Sequence, residues 1–206
     1  VEEVLRITGI DNVTSTPLPR LEPGITKSVL TLLQKRTRAA RRLLATRGLV
    51  EAVTWSFVAK ADAEAFGGGS PRLALANPIA ADLSDMRPHL LPGLIRAAQR
   101  NADRGIGDVA LFEVGQVFAD DTPTGQTTGA VALRRGSARA EGTGRDWHIP
   151  AQNVDAFDAK ADAFALLTAL GIATAGVQIV PGGPAWYHPG RSATLQFGPK
   201  NVIGAF

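Results

Sequence analysis

Between Ser28 and Arg47 the sequence repeats apolar residues at helical spacing, with no glycine or proline to interrupt it. Val29, Leu32, Leu33, Ala40, Leu43 and Leu44 fall on one stripe, Ser28 can serve as N-cap, and Gly48 as the C-terminal stop. A helix of about 20 residues spans about 30 Å, so the rest of the chain has to cover an apolar stripe of that length. Strand-like runs follow on either side of further helices. Residues 51–58 (EAVTWSFV) have β-branched and aromatic composition, and 72–76 reads as a short strand. An Ala-rich helix at 60–66 ends at three glycines, and Pro92 can occupy the first turn of a helix running to about Arg104. Residues 108–118 read as a long strand, broken or bulged at Gly115, and 127–134 as another. A polar loop at 135–153 and an amphipathic helix at 157–170 come next, then strands near 176–180, 192–197 and 201–206. Strands arrive in neighbouring groups with long helices between them, which predicts an α+β fold with a mainly antiparallel sheet flanked by helices.

The N-terminal residues stand apart from this pattern. Residues 1–9 read as the closing half of a helix stopped by Gly9, and 10–24 carry three prolines and no hydrophobic period, which marks a connector and a domain boundary. Val1 begins inside a helical pattern and Phe206 stops inside a strand-like one, so the chain is expected to be a piece of a longer polypeptide.

Composition excludes several classes of chemistry. With no cysteine there is no disulfide framework, thiol nucleophile or Cys-ligated metal site. No apolar run approaches the length of a membrane span, and a reducing cytosol fits. Neither a P-loop nor a G-x-S-x-G elbow is present, and His89, His148 and His188 lack metal-ligand spacing. Gly105-Ile106-Gly107 lies between a helix and a strand, the wrong order for a dinucleotide-binding turn.

The net charge of +3 conceals an uneven distribution. No acidic residue stands between Glu22 and Glu51, whereas Lys27, Lys35, Arg36, Arg38, Arg41, Arg42 and Arg47 are all basic. That face suits nucleic acid or an acidic partner. It equally suits a solvated helix face, a reading favoured by the lack of interleaved aromatic residues to stack bases. Glu2 and Glu3 are adjacent carboxylates, too few alone for a hard-cation site. The run 186–193 (WYHPGRSA) reads either as a binding loop or as the turn leading into the next strand.

Taken in order, VEEVLRITGIDNV, RAARRLLATRGLVEAVTWSFV, LANPIAADLSDMRPHLLPGLIRAAQRNADRG, ALFEVGQVF, VDAFDAKAD and YHPGRSA resemble recurrent blocks of the β subunit of bacterial phenylalanyl-tRNA synthetase. The resemblance implies two parts: 1–19 as the tail of a winged-helix-like domain, and 20–206 as most of a catalytic-like class II synthetase module. It implies a cytoplasmic (αβ)₂ heterotetramer in which the α subunit binds ATP and attaches phenylalanine to tRNA, the β module being a degenerate copy. Working class II synthetases carry an aromatic-Arg-x-Glu motif whose Arg clamps the ATP α-phosphate, and the matching strand here ends Val117-Phe118-Ala119-Asp120, with Ala119 in the place of the Arg. The module is therefore expected to be non-catalytic.

By the same resemblance, the long helix forms the subunit interface through Val29, Leu33, Ala40, Leu43 and Leu44. Arg38, Arg41 and Arg42 would then face the partner subunit or tRNA phosphate, and tRNA binding through this helix is the alternative function. Glu2 and Glu3 are implied as Mg²⁺ ligands together with two aspartates upstream of Val1. The anticodon-binding and editing parts are expected to lie outside this stretch.

Overall fold

A computed structural model describes residues 1–19, 29–140, 142–143, 147–148 and 150–206. The chain divides into two units, 1–31 and 32–206. In the first, α1 (Glu2–Thr8) ends at Gly9, whose φ of 89° is open to glycine, and a 3-10 turn follows at Ile10–Asn12.

The second unit begins with α2 (Leu32–Thr46), shorter at its start than the sequence pattern suggests; Val29 lies outside the helix and Ser28 outside the described residues. Its C-terminus closes as expected at Gly48: with φ at 78°, the glycine lets Leu49 N–H reach Leu44 O at 3.2 Å. That turn brings Leu49 into the core and starts β1 (Val50–Glu51).

The expected strand 51–58 is split. β2 (Phe57–Val58) forms separately, pairing with β3 (Asp85–Met86) across α3 (Lys60–Ala65). The expected strand 72–76 is instead a 3-10 turn at Pro71–Leu73, capped by Ser70 Oγ, with a single bridge from Ala74 to Asp85. The helix opened by Pro92 is α4 (Leu91–Ala102).

β4 (Val109–Phe118) and β5 (Gln126–Arg135) form an unbroken antiparallel ladder, in which Gly115 sits opposite Gly129. The expected break at Gly115 does not occur. Its glycine answers a close approach, since a Cβ there would lie 2.7 Å from Arg87 Nη2. Within the expected polar loop, β6 (Ala138–Arg139) pairs with β7 (Gly142–Thr143). α5 (Ala156–Ala169) starts at a capping box in which the Asp155 and Asp158 side chains cap each other's backbone N–H groups. β8 (Gln178–Pro181), β9 (Ala193–Gln196) and β10 (Val202–Ala205) close the chain as an antiparallel sheet.

The fold is thus α+β, but among the described residues the strands form two three-stranded sheets and two short ladders instead of one continuous sheet, and β1 runs parallel to β4. Alternation along β4 separates two faces. Ala110, Phe112 and Val114 pack with Ala130 and Ala132 against Ala40 and Leu44 of α2, Leu49, and Leu166 of α5. On the opposite face, Leu90 at the start of α4 lies beside Gly115 and Gly129. An ionic clamp joins the helices to the sheet: the buried Asp162 carboxylate of α5 accepts from Nε of Arg47 and from Nε of Arg134, each at 2.6 Å.

Candidate interaction surface

The stripe of α2 serves two purposes along its length. Ala40 and Leu44 are buried against Phe112 and Val114, so they belong to the chain's own core and drop out of the surface expected to meet a partner. Leu43 is half-buried. Leu33 lies on the same stripe as Leu44, about three turns earlier, yet it is 58% exposed and lies outside the core cluster that holds Leu44. Leu32 beside it is also exposed, and Val29, in the first unit, is almost fully so.

The cations of α2 divide in the same way. Arg41 is tied into the chain, its Nε 2.9 Å from Glu51 and its Nη2 donating to Val114 O at 3.2 Å. Arg47 is held by Asp162. Lys35, Arg38 and Arg42 sit at i, i+3 and i+7 on the face roughly opposite Ala40 and Leu44. They are exposed, and none has an ion-pair partner among the described residues. Arg41 therefore separates from Arg38 and Arg42, with which the sequence grouped it.

Beyond β4, Ala119 is exposed and offers no donor. Asp120 turns its carboxylate onto the backbone N–H and hydroxyl of Thr122; the hydroxyl and N–H together hold this carboxyl below the usual aspartate value. Asp121 pairs with Arg72. These side chains border a shallow cleft of about 220 Å³, floored by Leu75, Met86 and Phe118. The rim holds one guanidinium against two carboxylates, the wrong balance for a polyphosphate.

Glu2 and Glu3 are exposed on α1, and the Glu3 carboxylate is taken up by Arg6 at 2.8 Å. Among the described residues no group of three or more His, Asp or Glu side chains converges. Two carboxylates, one already paired, do not make the oxygen set a hard dication requires. The expected magnesium site does not fit these residues by themselves.

The run 186–193 is the turn into β9. Ser192 Oγ donates to His188 O, Gly190 N–H donates to His188 Nδ1, and Trp186 packs against Phe66 and His89 at ring distances of 5.5 and 5.7 Å.

Sequence reasoning missed the buried polar centre of the molecule. Arg87 Nη1 donates to Glu113 Oε1 at 2.7 Å and to Thr54 Oγ1 at 3.0 Å, and Thr54 Oγ1 donates to Glu113 Oε2 at 2.7 Å. These residues come from three separate stretches of chain. The one local signal was a pair of glycines, Gly93 and Gly115, each of which abuts this network.

Residues 18–206 match the family described as the phenylalanyl tRNA synthetase beta chain CLM domain. The whole chain aligns with the phenylalanine–tRNA ligase β subunits of Bradyrhizobium diazoefficiens, at 60% identity over 206 residues, and Rhodopseudomonas palustris, at 61% over 207. It covers 25% and 26% of those relatives, so it spans about a quarter of their length. Among solved structures, two of a pyrrolysyl tRNA synthetase from Desulfitobacterium hafniense superpose with TM-scores of 0.57 and 0.55 at 16% identity, over 84% and 83% of this chain and 55% and 57% of theirs. At that identity the likeness shows a shared fold alone.

Proposed function

The chain belongs to the phenylalanyl-tRNA synthetase β-chain family, and from that membership we propose that it is a non-catalytic module of phenylalanine–tRNA ligase. In this reading residues 1–19 end a winged-helix-like domain, and 20–206 form a catalytic-like class II module. The module supports an α subunit that binds ATP and attaches phenylalanine to tRNA, within a cytoplasmic (αβ)₂ heterotetramer.

One observation carries the reading: the end of β4, where a working module needs an arginine for the ATP α-phosphate, holds Ala119, with Asp120 and Asp121 beside it. A carboxylate pair placed where phosphate oxygens must approach raises the energy of the bound nucleotide, and the methyl group of Ala119 offers nothing in return. Arg72 cannot replace the missing cation while it is paired to Asp121. Mg²⁺ near Glu2 and Glu3 would require further ligands from elsewhere in the complex.

The α subunit contacts fall to the exposed part of α2, with Leu33, the half-buried Leu43, and Arg38 and Arg42 turned outward. The full β subunit alone should show no ATP–pyrophosphate exchange, and the αβ complex should charge tRNA. Exchange by β alone would refute the reading.

A second reading rests on the exposed stripe Lys35, Arg38 and Arg42, which has no ion-pair partner among the described residues and also suits tRNA phosphate. Reversing these three charges in the complex separates the two. Loss of tRNA affinity, with a smaller salt dependence and intact assembly, favours tRNA; loss of assembly favours the interface.

A further inference from the structure

Three separate stretches of chain close the cleft beyond β4. The 3-10 turn at Pro71–Leu73 supplies Arg72, Leu75 and Met86 follow where Leu75 N–H donates to Ser84 O at 2.8 Å, and the end of β4 brings Phe118, Asp120 and Asp121. The turn that carries the two aspartates is closed on itself. Ala119 N–H donates to Gly125 O at 2.9 Å, and Gly125 has no room for a Cβ beside the Asp120 carboxylate. Asp120 Oδ1 accepts both the hydroxyl and the N–H of Thr122, which fixes the carboxylate and keeps it ionised. Part of the rim's hydrogen-bonding capacity is unused. Among the described residues Asp120 Oδ2 has no donor, and Arg72 donates only through Nη2, to Asp121, which leaves its Nε and Nη1 without an acceptor.

A free acceptor on a fixed anion, free donors on a guanidinium and an apolar floor together complement one kind of small molecule. We propose that this cleft binds a free α-amino acid with an apolar side chain. Asp120 takes the α-ammonium, Arg72 the α-carboxylate, and Leu75, Met86 and Phe118 the side chain. The proposal rests on the cleft itself and goes beyond the assembly role above.

Charge selects this class of ligand. A phosphate ester is only anionic and meets two carboxylates for one guanidinium. A simple amine satisfies Asp120 but leaves the donors of Arg72 unused. A zwitterion carries its own counter-charge, so each end meets an opposite charge on the rim. Size argues in the same direction. At about 220 Å³ the cleft lies below the roughly 300–1,000 Å³ of sites for drug-sized ligands, which suits a body of a few carbons. Arg72 is exposed and shared with Asp121, so water screens the carboxylate contact and binding belongs in the millimolar range.

The test follows the methyl signal of Met86, the one methionine in these 206 residues, by NMR of the full-length β subunit labelled at its methionine methyls. Met86→Leu identifies the signal. L-Leucine should shift it saturably. Isopentylamine, which lacks the carboxylate, and isocaproate, which lacks the ammonium, should each bind at least tenfold more weakly. Arg72→Gln should weaken leucine at least tenfold and leave the amine no weaker. Asp120→Asn, which keeps Oδ1 as an acceptor for Thr122, should weaken leucine and the amine alike. Unchanged methionine signals elsewhere in the subunit show that each variant stays folded, and where one does not, the two analogues on the parent protein decide. A Met86 signal that leucine does not move overturns the inference. So does an equal response to the amine, which makes the cleft a plain cation site, or leucine binding that survives Arg72→Gln.

Discussion

Arg87 Nη1 lies 2.7 Å from Glu113 Oε1, and the two side chains keep only 5% and 4% of their exposure. Such a pair adds little net stability over an apolar pair of the same shape, but breaking it leaves a buried charge without compensation. Glu113→Gln should therefore cost about 3–5 kcal/mol in urea unfolding. Arg87→Met combined with Glu113→Leu should cost clearly less than the two single changes added together. A Glu113→Gln variant as stable as the parent would show that the pair does not hold β4 to the 54–56 segment.

Inside a helix, glycine to alanine ordinarily stabilises by about 1 kcal/mol. At Gly93 of α4 the sign should reverse. A Cβ there would stand 2.8 Å from Thr54 Cβ and collide with the hydroxyl that bridges Arg87 and Glu113. Gly93→Ala should destabilise by about 1–3 kcal/mol, seen as a lower thermal midpoint, and Thr54→Ala should relieve part of the loss.

Leu33 and Leu44 share one stripe of α2 but differ in burial, 58% against 1% exposed. Leu44→Ala removes a side chain packed on Phe112 and should cost about 2–5 kcal/mol in denaturant titration. Leu33→Ala should stay within about 0.5 kcal/mol. Equal losses would mean that the helix is covered along its whole length.

His89 Nδ1 accepts from Leu91 N–H at 3.1 Å at the start of α4, with the ring between Phe66 and Trp186. Burial lowers its pKa below 6.5. The unfolded chain thus binds this proton more readily than the folded one, and stability rises with pH through the window. Stability should fall as pH drops below about 6.5 and stop falling once the folded histidine is itself protonated. His89→Asn, which keeps an acceptor that does not titrate, should flatten this limb in melts between pH 7.5 and 5. Asp108 and Asp120, held below 3.8 first by hydrogen bonds from Ser137 and Thr122, should add a separate loss at lower pH.

Much of this molecule was legible in the chain. Periodicity located α4 and α5 and the β4–β5 pair, and Gly9 and Gly48 closed helices where the sequence placed them. The family could be recognised from ordered blocks. Two of the errors share one cause. Gly115 looked like a strand break because the sequence does not reveal that Arg87 lies against it, and 51–58 looked like one strand because the sequence does not reveal that the same guanidinium displaces the ladder.

The candidate surface divides along the same line. Sequence alone identified a helix with an apolar stripe and seven basic residues in and around it, since spacing and charge are local properties of the chain. It could not separate Leu33 from Leu44, or Arg41 and Arg47 from Arg38 and Arg42. Those distinctions depend on which part of α2 the core cluster takes in and on Glu51 and Asp162, which reach the helix from other strands and helices. Helical periodicity is set by short-range backbone sterics. Burial and ion pairing are set by groups distant in sequence, and only the tertiary fold brings those groups within reach.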